Sequence, residues 1–370
     1  FQKKKLKKNI PFIVADEFLS IFDVFFVYYK TIVYFFKLSL FIHKNKKIFL
    51  IKSINCEKVL KPLLLMSFSG EIQNSLFNAI SIKNFLKNNK KIGLFLTYVG
   101  FDPGSRAIYF FVKNLENSPK TIAIQHGSAN KNIMYFIHRK NEFTKNKLLE
   151  GQYYSPTPDF YLTMGAGYNK ILNGFFPNKS KIIGSLRYDL KNFKKKNKNK
   201  RLKEILLKNK NKKIILICPS IGDELEILHY LKHSANFNYR FILSPHPAFR
   251  KKVLKKYLYE LNDKCDLEVY DDVSTIELLS ISNLLICGYS SVAYDALFLG
   301  VQPLRIFSSL NPQVFDSNED MITVNNIDQL KKMLNRDFFP KIKNSFIKKL
   351  KKNQFYKLDN KANLRFWNFV

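Results

Sequence analysis

From about residue 48 onward, short apolar runs alternate with stretches whose apolar residues recur every three or four positions. The runs predict strands and the spaced stretches predict amphipathic helices. In the first half, strands are expected over 48–51, 63–67, 92–99, 121–124, 160–164 and 181–183, with helices over 72–86 and 107–117. In the second half, strands are expected over 214–218, 240–243, 267–270, 284–287 and 302–306. Helices are expected there over 224–233, 249–261 and 274–280, with another opening near Ser291. Strands alternating with helices predict parallel sheets and an α/β fold.

A stretch dominated by Lys and Asn, 191–212, interrupts this alternation and carries one short helical patch over 202–207. It reads as a charged linker between a first domain, 1–190, and a second, 213–335. Residues 336–370 are basic and helical with no strand, and such a tail can cross back over the first domain. No repeat of fixed period is present.

Residues 18–42 are dense in Phe, Tyr, Ile, Val and Leu, long enough to be mistaken for a membrane span. Asp23, Lys30 and Lys37 recur every seven residues, which places them on one helical face. The segment is therefore expected to be amphipathic, either lying in a membrane interface or packing on the domain core. No small-residue cleavage site marks a secretory signal. The chain opens on Phe1 rather than Met, as expected if residues precede it.

Composition refines this picture. The 370 residues are 46% hydrophobic, enough for two cores, and carry a formal charge of +33. The excess is mostly Lys, dispersed along the chain beside abundant Asn, Ile and Phe, all AT-rich codon residues. That dispersal argues against a nucleic-acid partner. A basic surface does suit anionic lipid, at about 1 kcal/mol per juxtamembrane cation. The four cysteines form no CxxC pair, and Cys218 and Cys287 sit in apolar runs as small hydrophobes. A reducing, cytoplasmic setting follows. No metal cluster is readable, and neither a metal nor another cofactor is expected.

The chemistry gathers at strand ends, where open α/β sheets bind ligands. Ser290 and Ser291 follow a buried run and Gly288, and open a helix. Hydroxyls and free N–H groups there make a phosphate site, although Ser is also a favoured N-cap. Asp295, one turn on, could hold a sugar hydroxyl or face solvent. His246, between Pro245 and Pro247, sits on a stiffened loop and could bond or protonate a departing phosphate. Pro219 to Glu224, with Ser220 and Gly222, resembles a small phosphate loop without a Walker or G-x-G-x-x-G pattern. In the first half, Gln125, His126 and Gly127 close a strand, and His126 is the candidate acid–base. Asp102 and Arg106 could converge on it, Asp102 as an alternative base and Arg106 as an anion clamp. Asp102-Pro103-Gly104 is also an ordinary turn sequence.

These motifs resemble the two-Rossmann (GT-B) glycosyltransferases of bacterial surface polysaccharide synthesis, and among them the branch using cytidine-nucleotide donors. That branch includes capsule Kdo transferases, sialyl- and polysialyltransferases and teichoic-acid glycerophosphotransferases. The resemblance runs as scattered short motifs over about 90–310. It implies two Rossmann-like domains facing a central cleft, a helical C-terminal tail, and donor phosphate held by His246, Pro247, Ser290 and Ser291. It further implies that His126 is the base beside the acceptor-binding Gln125, Gly127 and Arg106. Gly184-Ser185-Leu186-Arg187-Tyr188-Asp189 is similar to the G-x-x-R-x-D that precedes the interdomain linker in those enzymes. Two departures are visible. Gln125 stands where teichoic-acid polymerases carry Trp, and Gly222-Asp223-Glu224 reverses the acidic-pair-then-Gly order of many sialyltransferases.

The expectation is an inverting, metal-independent glycosyltransferase for capsule or lipopolysaccharide, peripheral at the inner face of the cell membrane. It would move a CMP-linked sugar, Kdo or sialic-acid-like, to a glycan or lipid-linked glycan. The nearest alternative transfers glycerol phosphate or another polyol phosphate from a CDP donor. A UDP-sugar 2-epimerase shares the architecture but needs no acceptor. A non-enzymatic basic protein binding membrane or nucleic acid would cluster its charge on one face.

Overall fold

The computed structural model describes residues 14–51, 53–98, 102–125, 156–175, 178–186, 200–208, 212–220, 222–246, 258–259, 261, 265–288, 290–307, 322–339 and 341–370. Most of the expected helix over 249–261, and the linker apart from one helix, lie outside them. The chain divides into two compact units.

The first unit opens with α1 (Ile21–Lys44). Its start is a capping box: the Asp23 backbone N–H donates to Ser20 Oγ, and the Ser20 N–H donates to Asp23 Oδ2 at 2.8 Å. A small antiparallel pair, β1 (Leu50–Ile51) and β2 (Ile54–Asn55), precedes α2 (Glu57–Met66) and α3 (Glu71–Asn88). Next come β3 (Leu94–Thr97), α4 (Pro103–Lys113), β4 (Lys120–Ile124), β5 (Phe160–Thr163), α5 (Ala166–Phe175) and β6 (Ser180–Ile182). The strands form a sheet in the order β3-β4-β5-β6, with β3, β4 and β5 parallel.

Two expectations are corrected here. The apolar run at 63–67 is the end of helix α2, despite Pro62 inside it, because a short apolar run does not by itself distinguish helix from strand. The expected polar face of α1 is solvated only in part, since Asp23 and Lys30 are half-buried and Lys37 is exposed. Asp23 turns inward and accepts from Asn84 Nδ2 of α3 at 3.1 Å, and Lys30 lies over the Phe26 ring. The outward side of α1 is the apolar one: Phe22 is 80% exposed, Phe25 67% and Phe36 61%. By length and composition α1 could also cross a bilayer. Exposed Val59, Leu63 and Met66 of α2 add to the apolar surface.

The second unit takes in Thr163–Gly174, which holds most of α5, and the chain from Ile182 on. It contains α6 (Lys200–Lys208), β7 (Lys213–Cys218), α7 (Glu224–Ser234), β8 (Tyr239–Leu243), β9 (Asp266–Val269) and α8 (Thr275–Leu279). These are followed by β10 (Leu284–Cys287), α9 (Val292–Leu299), β11 (Gln302–Ile306), β12 (Ile322–Val324) and α10 (Ile327–Arg336). Two more helices, α11 (Asn344–Phe355) and α12 (Ala362–Phe369), complete the chain.

Six parallel strands run in the order β12-β11-β10-β7-β8-β9. This is the Rossmann order, and it reverses direction between β7 and β10. Alternation along β7 feeds two cores. Ile215 and Ile217 pack with Ile227 and Leu231 of α7, while Leu216 and Cys218 pack with Ala293 and Ala296 of α9. Outer strand β9 is held by charge. Arg240 of β8 is buried and ion-paired to both Asp266 and Glu268, and Lys208 of α6 also reaches Glu268.

The tail packs on α9, with the Phe355 ring 5.3 Å from Tyr294 and 5.1 Å from Phe298. Gly165 backs onto the Asn353–Gln354 backbone, where a Cβ would collide. Arg365 Nε donates to the Ile183 carbonyl at 2.6 Å, and the same guanidinium grips Asp359 through two 3.0 Å bonds. Gly184 has a φ of 86°, a backbone conformation that favours the glycine of the G-S-L sequence, and a Cβ there would press on Arg365 Nη2.

Candidate functional site

In the second unit the predicted donor residues gather at the carboxyl edge of the sheet, around the reversal between β7 and β10. Cys218, Cys287 and Arg305 stand in register across β7, β10 and β11 and mark the last layer before the loops. Beyond Cys218 the chain turns through Ser220 and Gly222, which has a φ of 92°, into α7. Beyond Cys287 it turns through Gly288 and Ser290 into α9. A crevice at such a reversal is where open α/β sheets bind ligands.

The two serines are not equivalent. Ser290 Oγ accepts from the Val292 N–H at 3.3 Å, a long bond to the first residue of α9. Ser291 occupies the N-cap in helical geometry without a side-chain cap bond. The N-cap reading is therefore only partly met, and by the serine outside the cap position. Asp295 is completely buried, so its solvent-facing alternative fails. Burial pushes the Cys218 thiol well above its ordinary range, with Cys287 and the Asp295 charge adding to the effect.

On the neighbouring strand, the Ser244 N–H donates to the Ile217 carbonyl at 2.9 Å and Ser244 Oγ lies 3.1 Å from Thr275 Oγ1. These bonds carry the β8 end up to half-buried His246. Pro247 lies outside the described residues. Ser220 Oγ is buried with no hydrogen-bond partner among the described residues, as expected of a group that meets a ligand.

Two residues at this edge were given no role from the sequence. Asp223 is completely buried, and Arg305 is 6% exposed. Burial pushes the Cys287 thiol up to about 12, Arg305 opposing the shift and Asp223 adding to it, so both charges stand close to that side chain. Asp223 accepts from the Ser220 N–H at 2.7 Å. Gly288 packs directly on its carboxylate, where a Cβ would overlap the acid.

In the first unit, Asp102 is the N-cap of α4, and its Oδ1 accepts from the Ser105 N–H at 3.0 Å. The helix consequently begins at Pro103, four residues before the expected start. Asp102 Oδ2 is buried with no hydrogen-bond partner among the described residues. Arg106 lies in the first turn of α4, where its N–H donates to the Asp102 carbonyl at 3.0 Å. Gln125 continues β4, with its N–H on the Leu162 carbonyl at 2.9 Å. His126 and Gly127 lie outside the described residues, as do Arg187, Tyr188 and Asp189. Among the described residues no group of three His, Cys, Asp or Glu side chains could hold a metal ion.

A family model described as CDP-glycerol:poly(glycerophosphate) glycerophosphotransferase matches residues 107–307. No curated protein sequence matches at a significant level. Among solved structures, the UDP-GlcNAc 2-epimerase of Methanocaldococcus jannaschii, in complex with UDP-GlcNAc and UDP, is 15% identical with a TM-score of 0.52. That match covers 80% of this chain and 81% of the epimerase. The S. aureus MnaA–UDP structure is 11% identical with a TM-score of 0.52, covering 78% of this chain and 75% of MnaA. The wall teichoic acid polymerase TagF with CDPG is 17% identical with a TM-score of 0.48, covering 79% and 73%. At these identities the M. jannaschii epimerase and MnaA matches show the fold, the Rossmann-like pair of GT-B structures.

Proposed function

Since the chain belongs to the CDP-glycerol:poly(glycerophosphate) glycerophosphotransferase family, we propose that it moves glycerol phosphate, or another polyol phosphate, from a CDP-linked donor to an acceptor hydroxyl. The observation that carries this reading is the match over 107–307, more than half the chain, which takes in both the β4 end and the β7/β10 crevice. The match favours phosphate transfer over the CMP-linked sugar transfer that the sequence motifs placed first.

The acceptor oxygen attacks the phosphorus that carries the polyol and forms a new P–O bond. The bond from that phosphorus to the oxygen bridging to CMP breaks, and CMP leaves with the electron pair. His126 takes the acceptor proton, with Asp102 as the alternative base. Ser220, Ser290, Ser291 and the N–H groups opening α9 meet the donor phosphates, and His246 stabilises the charge on the departing CMP. Asp295, completely buried, is not placed against the polyol, and Gln125, Gly127 and Arg106 are assigned to the acceptor.

We place the enzyme on the inner face of the cell membrane, against anionic lipid. The support is the outward apolar side of α1, which a soluble surface does not ordinarily present.

The test is to incubate the protein with a poly(glycerophosphate) primer and either CDP-glycerol or a CMP-linked sugar. Mass spectrometry should show growth by glycerol phosphate units and release of CMP from the first donor only. Growth by sugar units alone would overturn the reading.

A further inference from the structure

The sequence Gly222-Asp223-Glu224 looks like an exposed acidic turn at a helix start. The structure gives its middle residue a different place. Asp223 is completely buried and, although it is the N-cap of α7, makes no side-chain cap bond to that helix. One carboxylate oxygen reaches back to the Ser220 N–H at 2.7 Å, fixing the loop after β7. The other lies against Gly288, fixing the turn after β10. These loops flank the reversal in strand order, and each carries serines assigned to donor phosphate. Arg305, on the next strand and in register with Cys287, supplies a buried positive charge on the same layer.

We propose that Asp223 is a positioning residue that ties the Ser220 loop to the Gly288–Ser291 turn across the strand-order reversal, and so sets donor affinity without touching the donor. The proposal rests on the donor-site reading above. Its physical basis is that a hydrogen-bond array gains affinity only when its members are held in place before the ligand arrives. Among the described residues, no backbone pairing beyond Cys218 and Cys287 holds the two lips of the crevice between β7 and β10 together. A buried acceptor bonded to one lip and in van der Waals contact with the other performs that function. It also accounts for Gly at 288, since any side chain there would displace the carboxylate.

The test uses the full chain and four substitutions. Asp223→Ala removes both contacts, and Asp223→Asn keeps the shape and the Ser220 acceptor. Gly288→Ala pushes on the same contact from the other lip, and Ser290→Ala with Ser291→Ala removes the proposed phosphate ligands. CDP affinity is measured by calorimetry, and KM and kcat with CDP-glycerol.

Asp223→Ala should weaken CDP and raise KM about tenfold or more while kcat changes much less, the signature of lost binding shared by ground and transition states. Asp223→Asn should restore most of the affinity. The Asp223→Ala effect should shrink in the double-serine background, because residues acting through one array are not additive. If Asp223→Ala does not fold, Gly288→Ala carries the same cycle. Full additivity with the serines, or wild-type CDP affinity in folded Asp223→Ala, would overturn the staple. Serine substitutions that leave CDP affinity unchanged would instead overturn the donor-site reading on which it stands.

Discussion

Replacing Ser290 and Ser291 together by Ala separates donor binding from folding, and the structure sets the size of both effects. On the folding side, Ser290 bonds the helix start through a long 3.3 Å contact to the Val292 N–H, and Ser291 makes no side-chain cap bond. Removing a cap costs typically about 1 kcal/mol, and a bond this long should cost less. In a unit of this size that lowers the melting temperature by about 2–4 °C at most. On the binding side, hydrogen bonds to a charged phosphate contribute roughly 1.5–3 kcal/mol, which converts to about ten- to hundredfold in Kd. The assay is a calorimetric titration with CDP beside a thermal melt of the same sample. A small loss in melting temperature with a tenfold or greater loss in affinity is the expected pair. An unchanged Kd in a folded double variant refutes the phosphate assignment. A collapse of the melt would mean that the turn is structural first.

Three further outcomes are expected. His126→Ala should slow transfer by about 10²–10⁴-fold with CDP binding retained, and retained turnover would pass the proton to Asp102, tested by Asp102→Asn. Intact protein should co-sediment with anionic vesicles, and Phe22→Ser with Phe25→Ser on the outward side of α1 should reduce this without lowering the melting temperature; equal binding by both proteins removes α1 from the contact. Burial alone would raise the Glu268 carboxyl, but hydrogen bonds from Lys208, Tyr270 and Arg240 outweigh it and hold the group at about 2. Its stabilisation is therefore complete above the unfolded value near 4.5 and is lost as pH falls toward about 2. Glu268→Gln should lower stability at neutral pH and flatten that part of the acid unfolding profile, and an unaltered profile would show that the Arg240 cluster does not couple to folding.

Most strands of both sheets were readable, because β7 and β10 are buried on both faces and appear as unbroken apolar runs. The run at 63–67 failed for the complementary reason: α2 has no buried residue, so nothing about its surroundings was written into its spacing. The seven-residue spacing placed Asp23 with Lys30 and Lys37 on one helical face, but could not show the Ser20 and Asn84 contacts that half-bury the acid. At the site, Ser220, Gly222, Ser290, Ser291 and His246 were visible as polar groups directly after strands. Asp223 and Arg305 were not. A charged residue in a sequence is ordinarily read as exposed, and only the three-dimensional register of β7, β10 and β11 shows these two buried on one layer.

The C-terminal helices bear on how the chain is made. Phe346, Leu350 and Phe355 belong to the same apolar cluster as Cys218, Leu285 and Val292, although they are synthesised long after those strand and turn residues. During vectorial synthesis the sheet and the helices that cover it form before the α11 residues that complete their apolar cluster are made. Termination between β12 and α11 would leave the outer side of α9 exposed, a species suited to chaperone capture and degradation rather than to partial activity. Translation through α11 thus becomes a checkpoint for the second unit, imposed by the order in which the residues of one core are made.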